Sequence, residues 1–303
     1  MNPSVLEKLW SVEKEAEIWW DSSPLVFETW KKSMIDQAEN KEEMTTWIDR
    51  MFHPDNAPED NLFRGVTTNP PLSHAAVQDN PAYWRKWIAD YVEEHGSQET
   101  EVMFWQVYKE IIKRGAETFL PMFEKTGGKF GYISGQTDPR SKFDTAVMVS
   151  QGAELAAIAP NVMIKVPGTA EGYETIRILS SKGISTNNTP SMINPQFKAC
   201  MDAVAAGENV VYTSPPPYIG DLLAKTPYLE FSDSTHERVP QDVLDKLLKI
   251  PYFARAYSED GYTAAEFNTH PALLETARQF AGVTEKMVNF VSEALVACKR
   301  HKN

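Results

Sequence analysis

Cysteine is scarce in this sequence, which has only Cys200 and Cys298 among its 303 residues. Two cysteines so far apart form neither a disulfide framework nor a metal-ligand motif, and the six histidines show no ligand spacing. The chain also lacks an apolar run of about 18 residues and a charged-then-apolar N-terminal segment. These absences argue against a disulfide-rich secreted protein and a membrane-spanning one. They predict a cytoplasmic protein without a metal site.

Positive charge is in short supply as well. Lys and Arg number 30 against 42 Asp and Glu, which gives a formal net charge of −12. This balance opposes the electrostatics of nucleic-acid binding and of attraction to anionic membranes, so we expect neither partner. With 42% hydrophobic and 24% charged residues, the composition is that of a globular chain and not of a disordered one. An anionic substrate would therefore require a local positive site.

Short strand-like runs alternate with stretches of helical periodicity from Asn61 onward. The predicted strands are a short one ending at Asp21 and the runs 63–69, 130–136, 162–167, 183–189 and 209–214. The long stretch 80–126 is predicted to be a helical insertion between the second and third strands. Such alternation predicts a parallel sheet with right-handed crossovers.

Glycine-rich phosphate loops are absent. The sequence contains neither Gly-x-Gly-x-x-Gly after a strand nor Gly-x-x-x-x-Gly-Lys-Ser/Thr, which favours a (β/α)8 TIM barrel over a nucleotide-binding open sheet. We predict one barrel domain over residues 1–303 with extra N-terminal, inserted and C-terminal helices. Residues 226–303 form its divergent part, in which the pattern does not place the last two strands.

Tryptophan is concentrated in the N-terminal helical region, at Trp10, Trp19, Trp20, Trp30 and Trp47. We expect these side chains to pack in the core. The alternative is that they form the interface of a homo-oligomer.

Lys165 is the most informative single residue, because it lies inside the apolar run VMIKVP. An ammonium group is costly to bury, and desolvation lowers the amine pKa. A lowered pKa is what a lysine needs to attack a carbonyl carbon and form a Schiff base at neutral pH. The alternative is an amphipathic strand whose lysine points to solvent or to a structural carboxylate.

Three motifs favour the first interpretation. The segment MIKVPGTAEG begins at Met163, GISTNNT follows at Gly183, and GVTTNP lies upstream at Gly65. Their order and spacing resemble the strand 4, strand 5 and strand 2 motifs of the transaldolase family. The resemblance runs from about residue 21 to residue 220 and fades beyond.

The resemblance implies a role for each of two charged residues. Lys165 would be the Schiff-base lysine, and Asp21 would be the strand 1 acid and base that acts on the carbinolamine and on a sugar hydroxyl. Polar residues at strand ends would bind the hydroxyls of a dihydroxyacetone unit: Thr67, Asn69, Asn187, Thr189 and Ser214. Thr189 would also belong to the catalytic residues. Taken singly, Thr-Asn-Pro also fits a turn, and an aspartate before Ser-Ser-Pro also fits a helix cap.

One departure from the family pattern concerns catalysis. Gln136 occupies the place of the strand 3 glutamate, and an amide can orient a water molecule but cannot take its proton. Glutamine here resembles the fructose 6-phosphate aldolase branch of the family, in which a strand 6 tyrosine also binds the catalytic water. Tyr218 is the candidate for that tyrosine, and packing at the barrel rim is its alternative.

Two further departures concern phosphate. Asp221 stands where the family has a phosphate-binding arginine, and a carboxylate repels phosphate. Arg255 is a candidate for the second phosphate arginine, although the serine that precedes that arginine in the family is missing. The sequence leaves open whether the substrate is phosphorylated.

We therefore expect an enzyme that forms a Schiff base with a ketose and transfers a dihydroxyacetone unit to an aldehyde or releases it. No metal or other cofactor is implied, because the lysine is itself the electrophilic catalyst. One alternative is a fructose 6-phosphate aldolase-like lyase, or another Schiff-base lyase that acts on an unphosphorylated or keto-acid substrate. A barrel that only binds a ligand is the non-enzymatic alternative.

Overall fold

Residues 2–12, 17–204, 212–214, 216–226 and 237–301 are described by the computed structural model of this chain. Their strands are β1 (Ile18–Trp20), β2 (Phe63–Val66), β3 (Tyr132–Gln136), β4 (Val162–Val166), β5 (Thr186–Asn188) and β6 (Tyr212–Ser214). Each overlaps or adjoins a predicted strand. Of the predicted run 209–214, residues 209–211 lie outside the described residues.

Helices fill the segments between and after these strands. They are α1 (Val5–Val12), α2 (Phe27–Gln37), α3 (Lys41–Met51), α4 (Pro70–Asp79), α5 (Pro81–His95), α6 (Thr100–Lys125), α7 (Thr145–Ala156), α8 (Ala170–Ser181), α9 (Asn194–Val204), α10 (Pro216–Ala224), α11 (Gln241–Leu247), α12 (Pro251–Tyr257), α13 (Ala264–Phe267) and α14 (Pro271–His301). The segment 80–126, predicted to be helical, forms α5 and α6, and its status as an insertion stays a prediction.

Three of the helices that follow strands begin at side-chain caps. Asn69 starts α4, Asp144 starts α7 and Thr169 starts α8, each accepting a backbone N–H of the first turn. Such a cap satisfies a donor that the helix leaves free. The capping residues therefore fix the points at which α4, α7 and α8 begin.

All strand pairs are parallel, in the order β5-β4-β3-β2-β1-β6. This confirms the predicted α/β class with a parallel sheet. β1 lies between β2 and β6, and the described residues beyond β6 form helices and connecting turns and contain no further strand. The eight-stranded barrel stays a prediction.

One face of the sheet packs against helices. Ile133 of β3 lies against Gly115 of α6, and Ile164 of β4 lies against Gly152 of α7. Because side chains alternate along a strand, Ser134, Gln136 and Lys165 must point to the opposite face. That face carries the polar residues.

The polar face is concave. Asn187 Nδ2 on β5 donates to Ser134 Oγ on β3 at 2.7 Å, although β4 lies between these strands. Two strand spacings amount to about 10 Å in a flat sheet. The sheet is therefore curled, and side chains on its inner face converge.

Aromatic rings fill the inner face near the amino ends of the strands. Trp19 of β1 stacks on Tyr132 of β3 with ring centroids 6.4 Å apart. Gly65 of β2 lies between them in register, and its missing side chain leaves room for the Trp19 ring. Trp20 and Trp47 are also buried, as expected for core packing of these tryptophans.

Helix α14 covers α4, α5 and α6, so the C-terminal segment closes one side of the molecule. No helix in the described ranges combines the length and apolar character needed to cross a membrane.

A side chain at Gly65 should disturb the packing of the aromatic rings on the inner face of the sheet. A Cβ atom there would lie 2.7 Å from the buried Trp19 ring, so we expect Gly65→Ala to lower the free energy of unfolding by about 1–3 kcal/mol. Denaturant titration measures this. The control is Gly282→Ala in α14, where a Cβ meets nothing within 4 Å and stability should stay the same or rise by up to about 1 kcal/mol. Equal effects of the two changes would contradict the packing described here.

Candidate active site

Polar side chains from five neighbouring strands meet at the carboxyl ends of the sheet. Asp21 follows β1 and Thr67 follows β2, while Gln136, Lys165 and Asn187 lie in β3, β4 and β5. The last three are register partners across the sheet. Parallel α/β folds place their chemistry at this edge.

Lys165 is the buried centre of this group. Its side chain is 7% exposed, and within the described ranges its amine makes no hydrogen bond and no ion pair. Burial lowers the pKa of this amine below its ordinary value, and the nearby Asp21 carboxylate opposes the shift. The structure thus rejects the solvent-facing alternative, and the environment favours the neutral, nucleophilic form of the amine.

Asp21 lies within electrostatic range of Lys165 without forming an ion pair with it. Thr67 Oγ1 donates a hydrogen bond of 2.7 Å to Asp21 Oδ1, and Thr67 N donates to Trp20 O. These bonds tie the carboxylate to the end of β2 and fix its direction. The second carboxylate oxygen is left to accept a proton or a hydrogen bond.

Two carboxamide groups flank the lysine, one on either neighbouring strand. Gln136 Oε1 and Asn187 Oδ1 are both buried and have no hydrogen-bond partner among the described residues. A buried acceptor without a partner is costly and is a common feature of functional sites. Both oxygens are therefore available to a bound hydroxyl group, an amine or a water molecule.

Thr189 follows β5, and its backbone N–H donates to Val166 O. That bond extends the pairing of β5 with β4 by one residue. Since Asn187 faces the inner side of the sheet, alternation places Thr189 on the same side.

Asn69 has a structural task here, since its Oδ1 accepts from Leu72 N as the cap of α4. Ser214 ends β6, in register with Trp20 of β1. Tyr218 lies on α10 and is 66% exposed. All three positions are at or beyond strand ends, and among the described side chains neither Asn69 nor Tyr218 contacts Lys165.

Arg255 lies on α12, away from the strands. Its guanidinium donates to Glu266 Oε1 at 2.7 Å and to Gly261 O, and it stacks over Tyr262 at 3.9 Å. Asp221 is exposed on α10 and pairs with Lys225. Both residues are thus engaged with surface partners.

Sequence reasoning missed two residues that support the site. Ser134 holds Asn187, and the hydroxyl of Tyr108 from α6 is bonded to the backbone of Gln136. Tyr108 stands in the helical insertion among aromatic residues at helical spacing, a pattern that indicates only core packing. The signal for Ser134 was its place two residues before Gln136 on the same face.

No group of three or more His, Cys, Asp or Glu side chains in the described ranges lies close enough together to hold a metal ion.

The fold and the site together define an α/β protein with a buried lysine at the carboxyl edge of a curled parallel sheet. The family model for transaldolase and fructose-6-phosphate aldolase matches residues 33–259. This match covers well over half of the chain, which therefore belongs to the transaldolase/fructose-6-phosphate aldolase family. Lys165 and the carboxamides lie inside the matched range, whereas Asp21 lies before it.

Individual relatives match a shorter part. Transaldolase 1 of Streptomyces avermitilis is 32% identical over 145 residues, which are 47% of this chain and 38% of the relative. The transaldolase of Thermobifida fusca is 34% identical over 145 residues, 47% of this chain and 39% of the relative. The transaldolase of Thiobacillus denitrificans is 31% identical over 147 residues, which are 47% of this chain and 40% of the relative. The matches thus span about two fifths of these relatives' own length.

Replacing the buried amine should stabilise the protein in a pH-dependent way. Because the pKa of Lys165 is lower in the folded than in the unfolded state, the unfolded state binds more protons between the two values, and stability rises with pH there. We expect Lys165→Met to be more stable than the unchanged chain at pH 7 by about 1–3 kcal/mol. This difference in the free energy of unfolding should shrink as the pH rises towards the pKa of free lysine. Denaturant titration at several pH values measures it.

The control for that experiment is Lys86→Met, which removes an exposed ammonium paired with Asp90. It should not raise stability at pH 7. A gain for Lys165→Met that stays constant or grows with pH would contradict the assigned environment of the amine.

Proposed function

We propose that this protein is a transaldolase-type enzyme in which Lys165 forms a Schiff base with a ketose. The observation that carries the proposal is the buried amine of Lys165, which has no hydrogen-bond partner among the described residues. It lies between two carboxamide oxygens that likewise have no partner among these residues, and it is within electrostatic range of Asp21. Burial lowers the pKa of this amine and so favours its neutral, nucleophilic form, and the flanking groups suit a polyhydroxylated substrate.

The first steps form the covalent intermediate. The neutral Nζ of Lys165 attacks the ketone carbon; Nζ then loses a proton and the carbonyl oxygen gains one, which gives a carbinolamine. The hydroxyl group takes up a second proton and leaves as water, and an iminium ion remains. Asp21 is the acid and base for these transfers, since its carboxylate is held in place by Thr67.

The next step breaks the C3–C4 bond. Its electron pair moves into the iminium, which becomes an enamine, while Asp21 takes the proton of the C4 hydroxyl group and an aldehyde leaves. The enamine carbon then attacks an acceptor aldehyde, whose oxygen regains the proton. Hydrolysis of the resulting iminium releases the product and the free lysine. Asn187, fixed by Ser134, binds hydroxyl groups of the retained unit.

A second candidate is an aldolase in which the enamine is protonated and dihydroxyacetone is released by water. Gln136 favours this outcome, because its amide can orient a water molecule without ionising. Its buried Oε1, which has no partner among the described residues, is a suitable acceptor for such a water.

The substrate that we propose is an unphosphorylated ketose. Asp221 is ion-paired with Lys225, and the guanidinium of Arg255 is occupied by Glu266 and Tyr262. Recruiting Arg255 for a phosphate would break its bond to Glu266. Neutral polar side chains dominate the described strand ends, which suits hydroxyl groups better than a dianion.

We also propose that the curled sheet belongs to a (β/α)8-type barrel. Family membership and the convergence of Asn187 and Ser134 across β4 support this proposal.

Borohydride trapping tests the reaction. The protein is incubated with dihydroxyacetone, fructose or fructose 6-phosphate, reduced with borohydride and digested for mass spectrometry. We expect an adduct on the peptide that contains Lys165, with fructose giving at least as much as fructose 6-phosphate. An added aldehyde acceptor separates transfer from release, since only transfer yields the new ketose.

Lys165→Met is the control and should give no adduct. Absence of a mass shift on the Lys165 peptide with every carbonyl compound would overturn the Schiff-base proposal. A strong preference for fructose 6-phosphate would overturn the assignment of an unphosphorylated substrate only.

A further inference from the structure

The hydroxyl group of Tyr108 occupies both backbone hydrogen-bonding groups of Gln136. It donates to Gln136 O at 3.0 Å and accepts from Gln136 N at 2.9 Å. The tyrosine comes from α6, the long helix of the insertion, and is 2% exposed. Burial raises the pKa of this hydroxyl, so it stays protonated and remains a donor at physiological pH.

The location of this contact explains why it matters. Thr137 N donates to Lys165 O of β4, so the peptide groups of Gln136 face the other neighbour of β3. That neighbour is β2, whose pairing with β3 ends at Val66 and Ile133. Tyr108 therefore takes the place of a strand partner at the point where Gln136 enters the site.

The Gln136 side chain depends on this support. Its Oε1 makes no hydrogen bond with the described residues, so that atom does not hold the carboxamide in place. Tyr108 itself is fixed, because its ring stacks on Trp105 with centroids 5.4 Å apart. The place of the Gln136 side chain beside its register partner Lys165 is thus set by the strand backbone, to which Tyr108 is bonded.

We propose that Tyr108 is a positioning residue, which holds the backbone of Gln136 so that its side chain lies beside Lys165. It thereby controls the steps in which water takes part, namely the hydrolysis of the iminium and the release of the product. This inference rests on the proposed function. The inserted helix α6 would then be part of the site's support and more than an outer layer of packing.

The test is Tyr108→Phe, which removes the hydroxyl and keeps the ring. We expect kcat to fall about 10- to 100-fold while KM changes by less than about threefold. Trapping of the Lys165 adduct by borohydride should persist, because the lysine and Asp21 are not touched.

Two comparisons separate positioning from general destabilisation. In the Gln136→Ala background, Tyr108→Phe should change kcat by less than about twofold, since a residue that acts through Gln136 has nothing left to position. The matched control is Asn161→Ala. Asn161 Nδ2 also joins α6 to β3, donating to Ala116 O and Gly131 O at the opposite end of the strand. It should lower stability and leave kcat within about twofold.

Hydrogen exchange gives a readout that does not require turnover. Tyr108→Phe should speed amide exchange in the peptide 132–137, and Asn161→Ala should not do so at Gln136. Unchanged exchange at Gln136, or an equal loss of kcat with and without the Gln136 side chain, would overturn the positioning role. Failure to trap an adduct in the unchanged protein would instead count against the proposed function.

Discussion

The arrangement of the site depends on the burial of one amine. Lys165 points to the concave face of a curled parallel sheet, where it is buried and its amine has no partner among the described residues. Such burial is unfavourable for folding, because the charged form loses its hydration. The same loss favours the neutral amine. The curvature that joins Asn187 to Ser134 brings the neighbouring polar groups within reach of it.

Much of the strand framework could be predicted from the sequence. Short runs that end in polar residues, each followed by a stretch of helical periodicity, mark β2 to β5. Lys165 stood out because a charge inside VMIKVP has few physical explanations. The spacing of the motifs then placed Gln136 and Asn187 on the neighbouring strands, where the structure has them in register.

The remaining features depend on tertiary contacts that a linear pattern does not contain. The pairing of Tyr108 with Gln136 joins residues 28 positions apart on a helix and a strand. Its sequence signal is the same as that of any core aromatic residue. Asn69 was predicted to bind substrate and in the structure caps α4, because the same Thr-Asn-Pro pattern serves both purposes. The pairing of Arg255 with Glu266 likewise depends on the turn between α12 and α13.

The burial of the Lys165 amine can be measured directly by titrating Lys165 itself. Lysine side chains labelled with ¹³C at Cε are followed by nuclear magnetic resonance, and the signal absent from Lys165→Met identifies this residue. We expect the Lys165 signal to titrate at a lower pH than those of the exposed lysines, because burial disfavours its charged form more than Asp21 supports it. Titration at or above the pH of the exposed lysines would show a charged, paired ammonium and would contradict the account.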